Sequence, residues 1–336
     1  MLKIAIIGTG FGQYGLLPAF RSVKNCKVVA ICGEKRPQLI EYCKRTGFKN
    51  IYSDWQQLFK KEKLDAVAIA VPPRIQYQIA KAAIKRGLHV FAEKPFAVNV
   101  VQARELFFLA RQKKIVNGVD FIFPEIAEWG KLKELIDRNK FGKLKHISAN
   151  WDFLSHDIKN KKATWKTSIT HGGGALSYYF SHGLYYLEHF AGEIVNAKSL
   201  FTYSKESING AEVGVDMLLK FGRGVTGYAH INCGSRGLAS HELVFQCERG
   251  IIFLGNKGNS FVSNFTVKIQ NLSGERQLRV KKDRGQANED ERVKVVKKLA
   301  GRFVNACIRR KAMSPSFKDG LRVQELIEKI RAQAIR

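Results

Sequence analysis

Residues 2–15, LKIAIIGTGFGQYG, decide the fold of the first part of the chain. The first six are almost entirely apolar, without alternation, which is typical of a strand buried on both faces of a parallel sheet. Glycines follow at once, and the residues after them open a helix. A strand, a glycine turn and a helix in this order predict the first half of a βαβ unit.

The glycine turn is a candidate binding site for a dinucleotide. Glycines allow backbone N–H groups to approach a pyrophosphate, and the helix N-terminus adds partial positive charge. The spacing departs from GxGxxG, because the third glycine would fall at Gln13 and the chain offers Gly12 and Gly15 instead. The alternative is an ordinary tight strand-to-helix turn. The candidate cofactor-binding residues here are Gly8, Thr9, Gly10, Phe11 and Gly12.

The pattern of the first turn continues to about residue 122. Strands are predicted at 3–7, 27–32, 65–70, 88–91 and 115–119, with helical periodicity at 56–60, 76–85 and 100–113. Apolar strands that alternate with helices predict a parallel sheet covered on both faces, and right-handed crossovers make it doubly wound. We therefore expect a Rossmann domain over residues 1–122.

The remaining residues, 123–336, predict an α+β domain with a large, mostly antiparallel open sheet. Strands separated by glycine turns, without intervening helices, indicate antiparallel pairing. We expect strands at 143–153, 213–220, 225–231, 242–247, 251–254 and 261–270, and helices at 125–139, 175–190, 290–309 and 317–331.

Length and composition are those of a globular protein of about two domains, with 336 residues, 45% hydrophobic and 26% charged. Apolar runs are far shorter than the roughly 20 residues that cross a bilayer, and no leader pattern precedes the first strand. The expectation is a soluble, cytoplasmic protein without a membrane partner.

The formal net charge of +28 is unusual. It is consistent with lysine-rich surfaces in general, with a phosphate-bearing substrate or cofactor, or with nucleic-acid binding. No zinc-finger, RRM or basic-zipper pattern is present, so we expect no nucleic-acid partner. The six cysteines form no CxxC pair and have mostly apolar neighbours, which favours reduced core thiols and no metal site.

The end of the second strand bears on the choice of cofactor. If Gly33 occupies the position of the acid that binds the adenosine ribose, then Lys35 and Arg36 can bind a 2′-phosphate, which favours NADP. If the turn is one residue longer, Glu34 serves the ribose and NAD is preferred. The sequence leans slightly to NADP.

Glu93-Lys94-Pro95 follows the fifth strand, and ligands of open parallel sheets lie beyond such strand ends. A lysine there can place its ammonium beside a nicotinamide and a substrate hydroxyl, and a cis X-Pro bond would aim it. The alternative is a surface turn.

A third segment, HGGGAL at 171–176, runs into an aromatic helix. On one continuous helix, Tyr178, His182, Tyr185 and His189 would share a face. Histidine titrates near neutral pH and can take a proton from an alcohol. The alternative is an aromatic helix that only packs.

Together these motifs resemble the Gfo/Idh/MocA family of NAD(P)-dependent oxidoreductases over essentially the whole chain. The resemblance rests on the glycine turn, residues 70–73 and 87–95, Trp165-Lys166, the block 172–182 and residues 313–323. It implies hydride transfer between a nicotinamide and a hydroxyl-bearing carbon, usually of a sugar, a cyclitol or a nucleotide-linked sugar.

By position, Lys94 matches the active-site lysine of the family and His182 its catalytic histidine, with Tyr178 beside it. Other residues that the resemblance assigns to the cofactor site are Val71, Pro72, Tyr77, Glu93, Lys94, Asp120 and Trp165. The chain departs from the family at three positions: Tyr178 and Tyr185 replace acids, and Tyr77 replaces a histidine. Tyr178 can supply a hydrogen bond without a charge, and Asp120 could compensate near the nicotinamide.

The leading hypothesis is a dehydrogenase or reductase acting on a sugar or a nucleotide-activated sugar, as in surface-polysaccharide metabolism. The alternative is a non-catalytic NAD(P)-binding sensor or regulator on the same fold. The resemblance also implies a homodimer or homotetramer that stacks the open sheet faces, which apolar alternation at 213–219 and 243–245 would permit.

Overall fold

The computed structural model describes residues 1–205, 207 and 209–335. The chain forms two compact units. The first is Met1–Ile122 with Arg284–Arg322, and the second is Phe123–Asp283 with Val323–Arg336. The expected second domain, residues 123–336, therefore differs from the second unit by the segment 284–322, which returns to the first.

The first unit is built on a six-stranded parallel sheet in the order β3-β2-β1-β4-β5-β6. Its strands are β1 (Leu2–Ile7), β2 (Cys26–Cys32), β3 (Ile51–Tyr52), β4 (Ala66–Ile69), β5 (His89–Ala92) and β6 (Asn117–Val119). Its helices are α1 (Leu17–Arg21), α2 (Pro37–Thr46), α3 (Trp55–Lys61), α4 (Pro73–Lys85), α5 (Val100–Gln112) and α9 (Val293–Arg309). Strand order reverses between β1 and β4, so the crevice for a ligand lies beyond their carboxyl ends. The expected doubly wound fold is confirmed.

Helix α9 explains why the chain returns to the first unit. Its apolar stripe includes Phe303, fully buried, whose ring meets Phe20 of α1 at 6.1 Å and Phe91 of β5 at 5.5 Å between centroids. An amphipathic stripe predicts that a helix is buried on one side, but not which core buries it. The sequence pattern therefore could not assign this helix to one of the two units.

The second unit contains an eight-stranded sheet in the order β14-β13-β12-β11-β7-β10-β9-β8. Its strands are β7 (Leu144–Asp152), β8 (Ile194–Thr202), β9 (Gly214–Phe221), β10 (Thr226–Asn232), β11 (Ser240–Cys247), β12 (Gly250–Lys257), β13 (Thr266–Asn271) and β14 (Gly274–Leu278). The helices are α6 (Ala127–Asp137), α7 (His156–Lys159) and α8 (Ser181–Ala191), while α10 (Phe317–Ala332) begins in the first unit and ends in the second. Of these pairings, β7–β10 is parallel and the others are antiparallel. The mostly antiparallel sheet is confirmed.

The apolar alternation at 213–219 and 243–245 belongs to the covered face of this sheet. Val215, Met217 and Leu219 of β9 are buried, as are Leu243 and Phe245 of β11. Their neighbours on the other face include the half-buried Asp216 and the exposed Leu218. The alternation therefore reports core packing and is no argument for a dimer, which stays a prediction.

Other differences concern short elements. The strand expected at 261–270 begins at Thr266, and Phe265 before it is buried. Strands β3, β8 and β14 and helix α2 were not delimited from the sequence. All six cysteines are free thiols, and the described residues contain no cluster of three or more His, Cys, Asp or Glu side chains suited to a metal ion. Nor does any helix in the described part have the length and apolarity that crossing a bilayer requires.

Candidate active site

The glycine turn lies at the reversal of strand order in the first unit. Gly8 has φ +123°, and a Cβ there would lie 2.1 Å from the carbonyl oxygen of Ala70, after β4. Only glycine allows this approach, and it brings the turn against Val71. A Cβ on Gly10 would meet no atom within 4 Å, so that part of the turn borders open space. This arrangement fits a ligand that needs backbone N–H groups.

The irregular glycine spacing has a packing explanation. A π-helical turn, Gly12–Leu16, follows the loop, and a Cβ on Gly15 would lie 2.3 Å from the ring of Phe11. Gly15 therefore makes room for Phe11, and Gly12 packs close to Ile6 of β1. The spacing of Gly8, Gly12 and Gly15 therefore follows the close contact that each glycine makes, and not the GxGxxG pattern.

Arg292, just before α9, is distant in sequence from the glycine turn but contacts two of its aromatic side chains. Its guanidinium carbon lies 4.4 Å from the ring centroid of Phe11 and 5.7 Å from that of Tyr14. Asp290 accepts hydrogen bonds from Nε and Nη2 of Arg292, each at 2.8 Å. The sequence alone does not reveal Arg292 as part of this site, because nothing in residues 290–292 indicates which loop they contact.

The end of β2 adjoins the glycine turn, because a Cβ on Gly33 would lie 2.8 Å from Cγ2 of Thr9. Arg36 donates from Nε to Glu34 Oε2 at 2.8 Å, and both side chains are more than half exposed. Arg36, the group proposed to favour NADP, thus pairs with Glu34, the group proposed to favour NAD. With Lys35, the segment carries a net charge of +1, one acid against two bases.

The Glu93-Lys94-Pro95 turn follows β5, with a cis bond between Lys94 and Pro95. It is fixed by Gln76 of α4, which is 1% exposed. Gln76 Nε2 donates to the carbonyls of Glu93, Pro95 and Phe96 at 2.7, 3.1 and 3.2 Å, and its Oε1 accepts from the N–H of Glu93 at 3.1 Å. Such a buried and saturated amide holds the backbone that carries Lys94 in one position.

Glu93 and Asp120 form a buried pair of carboxyl groups beside Lys94. Asp120 is 2% exposed and follows β6, the neighbour of β5. Glu93 Oε1 and Asp120 Oδ1 are both buried. Burial and the neighbouring acid raise the pKa of Asp120 well above its ordinary range, and burial raises that of Glu93, while the charge of Lys94 acts in the opposite direction on both. Two buried carboxylates this close would repel each other, which favours a state in which one of the two carries a proton.

In the second unit, the glycines of 171–176 make room for a buried ion pair. Gly174 has φ +94°, and a Cβ there would lie 2.3 Å from Glu212 Oε1. That carboxylate is 1% exposed, accepts from the N–H of Leu176 at 3.2 Å and pairs with Arg331 at 2.8 Å. The pair fixes the start of the aromatic segment.

The aromatic segment is not one continuous helix. A π-helical turn, Ala175–Tyr179, ends at Phe180, and α8 then begins at Ser181. The expected common face of four rings is therefore interrupted: His182 is buried, while Tyr185 and His189 are half-buried and stack at 6.2 Å. Tyr178 lies in the π-turn, with its ring 5.1 Å from that of Trp165 and 5.1 Å from Nζ of Lys166.

His182 is 3% exposed and held by aromatic rings. The ring of Phe123 meets it edge-on at 5.0 Å, and that of Phe261 at 6.2 Å. Packed rings of this kind restrict the imidazole to one orientation. The histidine thus has the fixed position that proton transfer requires.

Family models identify this arrangement. The oxidoreductase family model with an NAD-binding Rossmann fold, Gfo/Idh/MocA, matches residues 2–121, and the Gfo/Idh/MocA C-terminal domain model matches residues 129–253. The chain belongs to the Gfo/Idh/MocA family.

Individual relatives agree with this membership. An uncharacterized oxidoreductase of Synechocystis is 34% identical over 186 residues, 55% of this chain and 50% of the relative. Levoglucosan dehydrogenase of Pseudarthrobacter phenanthrenivorans is 27% identical over 208 residues, 58% and 53% of the two chains. The chain thus matches about half the length of these curated relatives.

Solved structures share the fold over nearly the full chain. A levoglucosan dehydrogenase in complex with NADH superposes with a TM-score of 0.85 at 19% identity, covering 99% of this chain and 96% of the other. A 3-ketoreductase from Actinomadura kijaniata in complex with NADP and TDP-benzene gives 0.80 at 20% identity, covering 99% and 98%.

Tyr77, which the resemblance assigns to the cofactor site, lies in α4 directly after Gln76. The hydroxyl of Tyr77 bonds to Glu105 of α5, which also pairs with Lys81. Tyr77 is therefore part of a helix–helix contact, and Gln76 is the residue that supports the Glu93-Lys94-Pro95 turn.

Proposed function

We propose that the chain is an NAD(P)-dependent oxidoreductase that interconverts a hydroxyl and a carbonyl group on a sugar or nucleotide-activated sugar. The observation that carries this proposal is that both proton-handling groups of the family are retained and rigidly held. Lys94 lies on a backbone fixed by Gln76, and His182 lies in a frame of aromatic rings. The printed names of the relatives, sugar dehydrogenases and a 3-ketoreductase, support the substrate class.

The residues of the first unit fit a dinucleotide. The open side of Gly10, the close approach at Gly8 and the helical turn after them would hold the pyrophosphate. When bound, the nicotinamide would supply the hydride acceptor or donor. The net charge of +1 at residues 34–36 supports the slight preference for NADP, since a 2′-phosphate is favoured by excess positive charge.

The protein's own residues handle the substrate oxygen and its proton. In the direction of oxidation, His182 takes the hydroxyl proton, and the ammonium of Lys94 stabilises the negative charge that develops on the oxygen. In the reverse direction the imidazolium returns that proton. The carboxyl pair of Glu93 and Asp120 places negative charge beside Lys94, and this charge attracts the ammonium group.

The test is Lys94→Met in the full chain, with cofactor affinity followed by nicotinamide fluorescence and turnover measured over a panel of sugars and nucleotide sugars. Turnover falls about 1,000-fold or more while cofactor affinity changes less than about threefold. Equal turnover in the variant and the wild type would contradict the role of Lys94.

A sensor or regulator is the second candidate function. It is favoured by the two tyrosines, Tyr178 and Tyr185, at positions where the family commonly has acids. A wild-type protein that binds the cofactor, but never changes its redox state with any substrate of the panel, would establish this candidate instead.

A further inference from the structure

The first unit contains a cavity of about 320 Å³ at the amino end of β6. Its apolar part is formed by Phe107, Ala110, Val116 and Met313. The strands of this sheet are parallel, so their amino ends share one edge and their carboxyl ends share the other. The cavity therefore lies at the edge opposite to the one at which Gly8 begins the glycine turn.

Every charged residue that lines this cavity is a cation. The cations come from three segments, namely the end of α5, the loop after α9 and the first turn of α10. All five are exposed: Arg111, Lys114, Arg310, Lys311 and Lys318. Within the described part of the chain, none of these five side chains forms an ion pair or a hydrogen bond with another residue. The positive charge at the cavity is therefore not neutralised by the protein itself.

The acid next to these cations in sequence is already engaged elsewhere. Asp319 accepts from the backbone N–H of Ser316 at 2.7 Å and from its hydroxyl at 2.9 Å, and it does not line the cavity. A cleft that carries charges of one sign beside apolar walls concentrates the electric field. The cavity thus attracts an anion more strongly than a flat surface with the same charges would.

Two of the cations stand where helices usually place glycine. Lys114 follows the end of α5 with φ +52°, and Arg310 ends α9 with φ +51°. A Cβ is unfavourable at such φ values, which is why glycine is common there. A cation near a helix C-terminus does complement the helix dipole, but Lys318 lies in the first turn of α10, where the dipole disfavours it. The helix dipoles therefore do not account for the cluster.

The loop between α9 and α10 is fixed to β6. The N–H of Val119 donates to the carbonyl of Pro315 at 3.1 Å, and the N–H of Phe317 donates to Oδ1 of Asn117 at 2.7 Å. These two hydrogen bonds hold the loop that carries three of the five cations. A ligand would not have to order this loop on binding, which favours affinity.

We propose that this cavity binds a small ligand with two or more phosphate groups, whose oxygens lie among the five cations. Phosphate oxygens form strong charge-assisted hydrogen bonds with lysine and arginine. The volume is near the lower end of the range for small-molecule sites, about 300–1,000 Å³, which suits a compact ligand. The inference goes beyond the proposed function and does not depend on it, because neither the glycine turn nor Lys94 lines the cavity.

The experiment compares two double variants of the full chain by calorimetry at a fixed ionic strength of about 0.15 M. Lys114→Gln with Arg310→Gln removes two lining cations. The matched control is Lys113→Gln with Arg309→Gln, which removes the same charges at the adjacent exposed positions outside the cavity. Both double variants keep the glycine turn, so any binding of the probes there is common to the two.

The probes are inorganic phosphate, pyrophosphate, tripolyphosphate and adenosine triphosphate. Tripolyphosphate should bind the lining double variant about tenfold or more weakly than the wild type, and the control double variant within about threefold of the wild type. Affinity for the wild type should rise from phosphate to tripolyphosphate, since each added charge meets another cation. Equal affinity of tripolyphosphate for the two double variants would overturn the site.

Two further comparisons identify the ligand. Adenosine triphosphate that binds more tightly than tripolyphosphate indicates a nucleotide, whose base packs on the apolar part of the cavity, and equal binding indicates the polyphosphate chain alone. If the two double variants differ only in their binding to phosphatidylglycerol vesicles, the cations contact a membrane surface and the proposal of a small ligand is wrong.

Thermal unfolding gives a second readout of the same site. A ligand that binds the folded state raises its Tm. Tripolyphosphate should therefore raise the Tm of the wild type and of the control double variant more than that of the lining double variant. The same rise in all three proteins would contradict the proposal.

Discussion

The two units hold their functional groups in different ways. In the first unit, Lys94 is positioned through the backbone, by the amide of Gln76 and by strand ends that converge at one edge of the sheet. In the second, His182 is positioned through its ring, by Phe123 and Phe261. The turn that carries Lys94 is a short motif visible in the sequence, although its support by Gln76 is not. The ring packing around His182 joins residues more than 50 positions apart and is not visible in the sequence.

The largest effect is expected at His182. His182→Asn keeps a polar side chain of similar shape but cannot act as a base near neutral pH, so kcat should fall about 100- to 10,000-fold. The matched variant, Tyr178→Phe, removes only a hydroxyl and should lower kcat less than about tenfold. Steady-state kinetics with any accepted substrate compares the two, and a larger loss in the tyrosine variant would reverse their roles.

The buried ion pair of the second unit comes next. Glu212→Ala leaves Arg331 without its partner and leaves the N–H of Leu176 unsatisfied, so the free energy of unfolding should fall by about 3–5 kcal/mol. Urea denaturation measures the change. Glu193→Ala, at an exposed position outside this contact, is the control and should stay within about 0.5 kcal/mol.

A smaller effect on the first unit separates two neighbours in the sequence. Gln76→Leu removes four hydrogen bonds to the turn that carries Lys94, so kcat should fall about 10- to 100-fold while cofactor affinity changes less. Tyr77→Phe loses only the contacts of its hydroxyl with Glu105 and Lys81 and should keep kcat within about threefold. If the two variants behave alike, the assignment of support to Gln76 fails.

The pair at the end of β2 should tune cofactor preference. Arg36→Ala removes a cation and should shift the NADPH-to-NADH affinity ratio toward NADH by about tenfold, whereas Glu34→Gln should shift it toward NADPH. Fluorescence titration with both cofactors gives the ratio. Two variants that move the ratio in the same direction would exclude a role for charge here.

The smallest effect concerns pH. Because folding raises the pKa of Asp120, the folded state binds its proton more tightly than the unfolded state. This group therefore contributes most stability at low pH and loses it as pH rises above the ordinary carboxyl range toward the raised pKa. The side chain of Asp120→Asn has no proton to lose in this range. The Tm measured by thermal unfolding should therefore decline less between pH 5 and 8 in the variant than in the wild type. A steeper decline in the variant would contradict the shared proton.

The sequence predicted the architecture well because its signals are local. The strand-turn-helix at residues 2–15 and the glycine-separated strands of the second unit carry their own periodicity. The sequence-based predictions failed for features that depend on contacts with distant parts of the chain. Nothing in residues 284–322 shows that they return to the first unit, and nothing in 175–190 shows that a π-helical turn interrupts the helix.

The residues of the candidate site likewise divide into those that the sequence reveals and those that it does not. Gly8, Lys94 and His182 stand in recognisable motifs, but Gln76, Arg292 and Glu212 act through contacts that only the fold creates. One position along α4 separates Gln76, which supports the Glu93-Lys94-Pro95 turn, from Tyr77, which joins α4 to α5.

The most direct test of the central claim is a titration of the full chain with NADPH and NADH, comparing the wild type with Gly10→Val. A Cβ at Gly10 meets no atom of the protein, so the variant should fold, while its side chain fills the space beside the turn. We predict saturable binding at one site per chain in the wild type, weakened about tenfold or more in the variant. Absence of binding, or equal binding by both proteins, would contradict it.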